Sequence, residues 1–429
     1  MRMRALGVLA VAAFLAVPAA AQTAEAVGDL VPRHLERITE IRHRLHENPE
    51  LSNREEETAA LVAEHLRGLG FDEVRTGVAH TGVVGILRGG RPGPVVAVRA
   101  DMDALPVTEA TGLPFASTKR ATYNGQEVGV MHACGHDIHT AVGLGTASVL
   151  ADMRAELPGT VVFIFQPAEE GPPEGEEGGA PLMLEEGVFE DPPPEAIFAL
   201  HTFPSLEVGE LGYTPGPAMA AADTWRAVIH GRQAHGAQPQ ESIDPVVMAS
   251  QAVMALQTIR SRNMSALTDG VVTVGILRGG ERHNIIPGQV RLEGTVRTFD
   301  PGVQDMVERR MREILDGITA AGGGSYELEY DRGVPVTVND PALAERMAPT
   351  LARVVGEDNA HVLPPTTGAE DFAFFAREIP GFYFRLGTTK PGTTSGGLHT
   401  PTFTADDGAI PVGIRAMTAL VVDYLDGGG

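Results

Sequence analysis

The segment His132-Ala-Cys134-Gly-His136-Asp-Ile-His139 sets a thiol and an imidazole close together at Cys134 and His136, with Gly135 between them to let the backbone turn tightly. Such a pair can converge on one metal ion. Glu169 and Glu170 are a second signal. Adjacent side chains in extended structure point in opposite directions, so one carboxylate can coordinate a metal while its neighbour faces a water. Metal-assisted hydrolysis needs this division of labour, with a Lewis acid to lower the pKa of water and a carboxylate to take its proton. His201 and His399 join Cys134, His136 and Glu170 as candidate ligands. That set exceeds the roughly four donors of one zinc, so a two-metal site is the sharper expectation.

Two other classes compete with this reading. A thiol hydrolase would use Cys134 as nucleophile and a neighbouring histidine as base, but it leaves Glu169, Glu170, His201 and His399 without roles. A non-catalytic binding protein on the same fold would be expected to have lost a ligand or the base.

These residues must be brought together by secondary structure, and their surroundings say how. Val95 to Val98 precede Asp101 and Asp103, Val161 to Phe165 precede Glu169 and Glu170, and Ala196 to Leu200 precede His201. Phe382 to Leu386 precede a Gly- and Thr-rich loop with His399. Helical spacing appears in Glu36 to Leu45, in Glu55 to Leu69 before Gly70, and in Thr140 to Ala151. Continuous apolar strands alternating with helices predict an α/β fold with a buried, mainly parallel sheet. Ligands of such sheets bind beyond the carboxyl ends of the strands, which is where the acids and imidazoles fall. The acidic, Gly-rich stretch from Gly171 to Gly179 is expected to be a loop beside the site.

Composition changes between 217 and 331. Strand candidates at Thr224 to Ile229, Val271 to Ile276 and Val290 to Thr298, with helices at Asp244 to Arg260 and Val303 to Ala321, predict an inserted α+β, ferredoxin-like unit. Residues 22–216 and 332–429 would form the catalytic domain around it.

The chain has 429 residues, 43% hydrophobic and 21% charged, an ordinary globular balance that excludes disordered and coiled-coil classes. A net charge of −23 makes nucleic acid and anionic membrane poor partners. Arg2 and Arg4, the apolar run Leu6 to Val17 and the small residues Ala19 to Ala21 read as a signal peptide over 1–21, so export to a periplasmic or secreted location is expected, with no membrane contact after cleavage. With Cys134 as the single cysteine, no intramolecular disulfide can form.

Arg99-Ala-Asp-Met-Asp-Ala-Leu-Pro106, Met131-His-Ala-Cys-Gly-His136, Phe165-Gln-Pro-Ala-Glu-Glu170, Gly368-Ala-Glu-Asp-Phe372 and Leu398-His-Thr-Pro401 together resemble the metallo-amidohydrolases. That group includes hippurate hydrolases, N-acyl-amino-acid amidohydrolases and auxin-conjugate hydrolases, a branch of the aminoacylase and carboxypeptidase group of dinuclear zinc peptidases. The resemblance spans nearly the whole chain after residue 21. It implies Cys134, His136, Glu170, His201 and His399 as ligands of two divalent metal ions, zinc or manganese with cobalt as a further option, and Glu169 as general base. It makes Asp103 a residue that orients a ligand, in preference to Asp101 as a ligand. The insert resembles the family's lid and dimerisation domain, which implies a homodimer. His235, within Gly231-Arg-Gln-Ala-His235, would reach a substrate carbonyl, often across the dimer, and Asn284, within His283-Asn-Ile-Ile-Pro287, would bind substrate. The implied substrate is an N-acyl amino acid, with a dipeptide, and so a metallo-dipeptidase or carboxypeptidase, as the alternative. Gln240 stands where many members carry histidine or an aromatic residue, a departure that bears on substrate choice.

Overall fold

The computed structural model describes residues 19–427. The expected signal run Leu6 to Val17 lies outside them, and Ala19 to Ala21 fall at the start of the first helix. Along the chain come α1 (Ala19–Glu47), α2 (Glu56–Gly68), β1 (Glu73–Val78), β2 (Gly82–Arg88), β3 (Arg91–Asp101), α3 (His136–Asp152), β4 (Pro158–Gln166), β5 (Ala196–Glu207) and β6 (Leu211–Tyr213). The chain then leaves for β7 (Ala221–His230), α4 (Pro245–Thr258), β8 (Gly270–Arg278), β9 (Gln289–Thr298), α5 (Pro301–Gly322) and β10 (Ser325–Val334). It returns as α6 (Pro341–Val355), β11 (Ala360–Val362), β12 (Gly381–Thr389) and α7 (Ala409–Leu425).

The first and last groups build one eight-stranded sheet in the order β1-β2-β4-β3-β5-β12-β6-β11. Its centre, β4, β3, β5 and β12, is parallel, and antiparallel pairs flank it. The central strands are apolar because both faces are covered. In β4, Val161, Phe163 and Phe165 enter one core with α1, α3 and α7, while Val162 and Ile164 enter the other with Phe372 and Phe375. α3 is buried almost all round from His136 to Leu150. Gly143 and Gly145 let it lie close to Phe165 and Ile414, where a Cβ at Gly145 would come within 2.2 Å of Ile414. The first helix starts well before Glu36, because Val27, Val31, Ile38 and Leu45 form one buried stripe along it.

β8, β9, β7 and β10 form a separate antiparallel sheet in that order. Its core is the side packed by α4 and α5, with Trp225, Ala227, Ile229, Leu292 and Val296 against Met248, Leu256, Met311 and Leu315. Asp244 and Asp300 cap the two helices by accepting from Val246 and Val247 N and from Val303 N. The sequence reading placed no element at 325–334, yet Tyr326, Leu328 and Tyr330 alternate there with Glu327, Glu329 and Asp331 as a half-buried edge strand. The expected boundary at 331 therefore falls inside β10.

Candidate metal centre and active site

The donor residues sit at the carboxyl ends of the parallel strands. β3 ends at Asp101, with Asp103 just beyond it. The segment after β4 carries Glu169 and Glu170, and β5 contains His201. Cys134 stands just before α3, whose first residue is His136. Gly135 between them has φ +90°, and a Cβ there would lie 2.5 Å from Thr202 Oγ1, so only glycine fits. His399 adopts φ 63°, a region costly for a side chain that bears a Cβ, and its backbone N donates to Ala133 O at 2.8 Å.

Of the five clusters of possible donors among the described residues, two share the thiol, Cys134 with His136 and His201, and Cys134 with Glu170 and His399. Cys134 Sγ is 3.3 Å from His201 Nε2 and 3.3 Å from His399 Nε2. His399 Nε2 is 3.2 Å from Glu170 Oε1, and His136 Nε2 is 3.7 Å from Glu169 Oε2. Glu169 thus stands beside both groups. Cys134, Glu169, Glu170, His201 and His399 line a cavity of about 650 Å³ together with Phe203, Arg297, Thr366, Glu370, Tyr383 and Arg385, with His136 buried behind them.

Neighbouring groups set which imidazole nitrogen is free. His201 Nδ1 donates to Thr202 O at 2.7 Å, leaving Nε2 aimed at the thiol. His136 Nδ1 donates to Asp103 Oδ1 at 3.1 Å. Asp103 is in turn held by Ser52 Oγ at 2.8 Å and by Glu170 N at 3.0 Å, so it links His136 to the Glu170 backbone. The Nε2 of His136 is buried and has no hydrogen-bond partner. Burial opposes a charge on His136, yet Asp101, Asp103 and Glu170 raise it to about 10. A field that holds a proton on that nitrogen so firmly also suits a cation there, and a metal ion would give the unpartnered Nε2 its partner. Burial, followed by Glu170, Glu169 and Asp101, pushes the Cys134 thiol well up, the opposite of what an attacking thiolate needs. Burial also raises Glu169 well above the carboxylate range, with Glu370, Glu170 and Asp371 adding to the rise. A carboxyl so raised holds its proton until a cation beside it offsets the rise.

A scan of known families matches residues 97–423 to the Peptidase family M20/M25/M40. The N-acetylcysteine deacetylase of Bacillus subtilis is 40% identical over 390 residues, covering 91% of this chain and 97% of its own. Thermostable carboxypeptidase 2 of Saccharolobus solfataricus is 37% identical over 391 residues, covering 90% and 95%. The crystal structure of the Bacillus subtilis YXEP protein, described as a dinuclear metal-binding peptidase of the M20 family, superposes with a TM-score of 0.77 at 36% identity, covering 92% of this chain and 99% of that one. The chain belongs to the M20/M25/M40 peptidase family. It is a hydrolase of that metal-dependent amidohydrolase and peptidase group.

Within this M20 scaffold, His235 and Asn284 stand apart from the other expected site residues. Neither lines the cavity. Arg297 and Val334, which do, lie near the Ala221 end of β7, paired with Ala222. His230 is at the other end of that strand, roughly 30 Å away at about 3.3 Å per residue. Beyond His230, His235 pairs with Ile285 and Gly236 N donates to Asn284 O. His235 is exposed, and its Nδ1 accepts from Ala237 N at 3.0 Å. Within one chain, these two residues cannot touch a substrate at Glu169.

Several residues of the M20 site went unassigned in the sequence reading. Arg99 is fully buried and donates to Asp101, Glu370, Asp371 and Gln166, tying the ends of β3 and β4 to the segment before Phe372. His139 accepts from Thr202 N at 2.8 Å and faces Asp101 Oδ1 at 2.5 Å, which engages Asp101 away from the shared thiol. The signal for Arg99 was a charge set inside an apolar strand, between Val98 and Ala100.

Proposed function

We propose that the protein hydrolyses the amide bond of N-acyl amino acids, releasing a carboxylic acid and a free amino acid. The observation that carries this reading is the pair of donor groups joined through Cys134, with the Glu169 carboxyl alongside them at the cavity wall. Cys134, His136 and His201 would hold one divalent cation, and Cys134, Glu170 and His399 a second, with zinc, manganese or cobalt as the ions. Bound there, the pair supplies a Lewis acid that polarises the amide carbonyl and acidifies water. Glu169 takes the proton from the attacking water and passes it to the leaving amine. Asp103 keeps the His136 ring in the tautomer that frees Nε2. The deacetylase relative supports the N-acyl reading. A metallo-carboxypeptidase or dipeptidase is the second reading, favoured by the carboxypeptidase relative and differing only on the acyl side.

His235 and Asn284 are proposed to serve a second copy of the chain, in a homodimer built on residues 217–331. In support, exposed apolar side chains gather on this unit, among them Val247, Met254 and Leu277. Export with cleavage near Ala21 is proposed on the basis of Arg2, Arg4 and the apolar run after them. No helix among the described residues is long and apolar enough to cross a membrane.

The test is release of free amino acid from hippurate, N-acetyl-amino acids, indole-acetyl-amino acids and dipeptides by protein stripped with chelator and reloaded with zinc, manganese or cobalt. Activity that vanishes on stripping and returns with metal is expected, with acylated substrates ahead of dipeptides. Activity indifferent to chelation sinks the dinuclear model and restores Cys134 as nucleophile.

A further inference from the structure

Three arginines among the described residues are almost completely buried, Arg42 and Arg99 at 1% and Arg385 at 4% exposure. A buried charge is costly unless a counter-charge and hydrogen bonds meet it. Arg42 has Asp137 and Asp407. Arg99 has Asp101, Glu370 and Asp371. Arg385 has no carboxylate partner among the described residues. It donates to Pro364 O at 3.2 Å, to Ala218 O at 3.2 Å and to Thr366 Oγ1 at 3.4 Å, and its guanidinium lies over the Phe203 ring at 4.8 Å. These bonds leave the Nε–H and one Nη1–H without a protein acceptor.

The strand explains where those donors face. Along β12, Phe382, Phe384 and Leu386 enter the core beneath the sheet, while Tyr383 and Arg385 alternate with them and line the cavity. In the parallel register, Arg385 stands directly beside His201, one strand spacing of about 4.8 Å away. The cavity is otherwise rich in carboxylates, with Glu169, Glu170, Glu370 and Asp371 on its wall, yet none is within ion-pairing reach of this guanidinium. The missing counter-charge is one that a ligand would bring.

We propose that Arg385 receives the α-carboxylate of the amino-acid half of the substrate, a deepening that rests on the N-acyl amino acid reading above. The scissile nitrogen and the α-carboxylate are joined through one carbon, a reach on the scale of the spacing between His201 and Arg385. The Phe203 ring and the three neutral oxygens hold the guanidinium plane still, so the fork is preorganised for a planar anion. Arg297, the other arginine on the cavity wall, comes from the second sheet, is only partly buried, and donates through Nη1 to Thr295 Oγ1 and Val296 O.

The experiment compares kcat/KM for N-acetyl-methionine, its carboxamide, and N-succinyl-methionine amide, whose carboxylate is on the acyl side. Wild type is expected to favour the free acid over the carboxamide by about 10²-fold or more, as sites built around a charged hydrogen bond do. In Arg385→Met that ratio collapses towards one, mainly through KM, and Arg385→Lys recovers part of it because the charge stays and the fork is lost. A ratio does not depend on how much of each variant folds. The proposal is overturned by an unchanged ratio in Arg385→Met, by collapse in Arg297→Met alone, or by a preference that follows the succinyl carboxylate. Should wild type cleave none of the three, the N-acyl amino acid reading fails, and calorimetric binding of the non-hydrolysable analogue with CH2 in place of the acyl carbonyl decides the site by itself. Tighter binding of its acid than of its amide, lost in Arg385→Met, upholds the carboxylate site, and equal binding overturns it.

Discussion

The two sheets use the ends of their strands differently. In the eight-stranded sheet, parallel neighbours finish on the same side, so Asp101, the Glu169 and Glu170 segment and His201 arrive together although long stretches of chain separate them. In the four-stranded sheet every pair is antiparallel, and one end of β7 faces the cavity while the other carries the chain away to His235. Parallel packing gathers chemistry at one edge, and antiparallel packing sends half of its loops to the far side.

The sharpest test of this contrast is to remove the base at the gathered edge. Glu169→Gln is expected to lower turnover by about 10³-fold or more with the metal content measured by elemental analysis unchanged. Retention of a tenth of the rate would take Glu169 out of the mechanism. Next come the two cores. Phe163→Ala is expected to cost about 3–5 kcal/mol and Leu315→Ala about 2–5 kcal/mol. Scanning calorimetry should show Phe163→Ala lowering the transition of the large sheet and Leu315→Ala that of the smaller one, and a single shared transition in both variants would break the comparison.

His235→Ala is expected to lower kcat/KM by about 10²-fold, the size of one lost oxyanion donor. Mixing it with Glu169→Gln should restore roughly a quarter of wild-type activity if pairing is random and the histidine acts across the dimer. No recovery after dissociation and reassociation would leave His235 outside the site altogether. The smallest effect concerns a cap. Asp300→Ala removes the acceptor for Val303 N and should cost about 1 kcal/mol in a denaturant melt, confined to the transition of the smaller sheet.

Most of the central sheet was legible because its strands are continuous apolar runs, and a run such as Val161 to Phe165 fits few other structures. The start of α1 was less so, since Gly28 and Pro32 interrupt it and only burial of Val27 and Val31 shows that it continues. β10 could have been read from its alternation, but its high charge made it resemble a loop. Arg99 and Arg385 each break an apolar strand in the sequence, Arg385 within Phe382 to Leu386. That pattern marks a buried charge without saying what balances it.

The sequence by itself determined the kinds of donors, their association with strand ends and the acidic pair after β4, because these depend on residue type and local periodicity. Tertiary structure alone decided that one thiol is shared by two donor groups, that the ligand Asp103 orients is His136, and that His235 stands far from Glu169 in its own chain. It also decided that Arg99 is neutralised by three carboxylates while Arg385, beside His201, has none. Such facts are distances between residues remote in sequence, and strand order and register, not local pattern, set those distances.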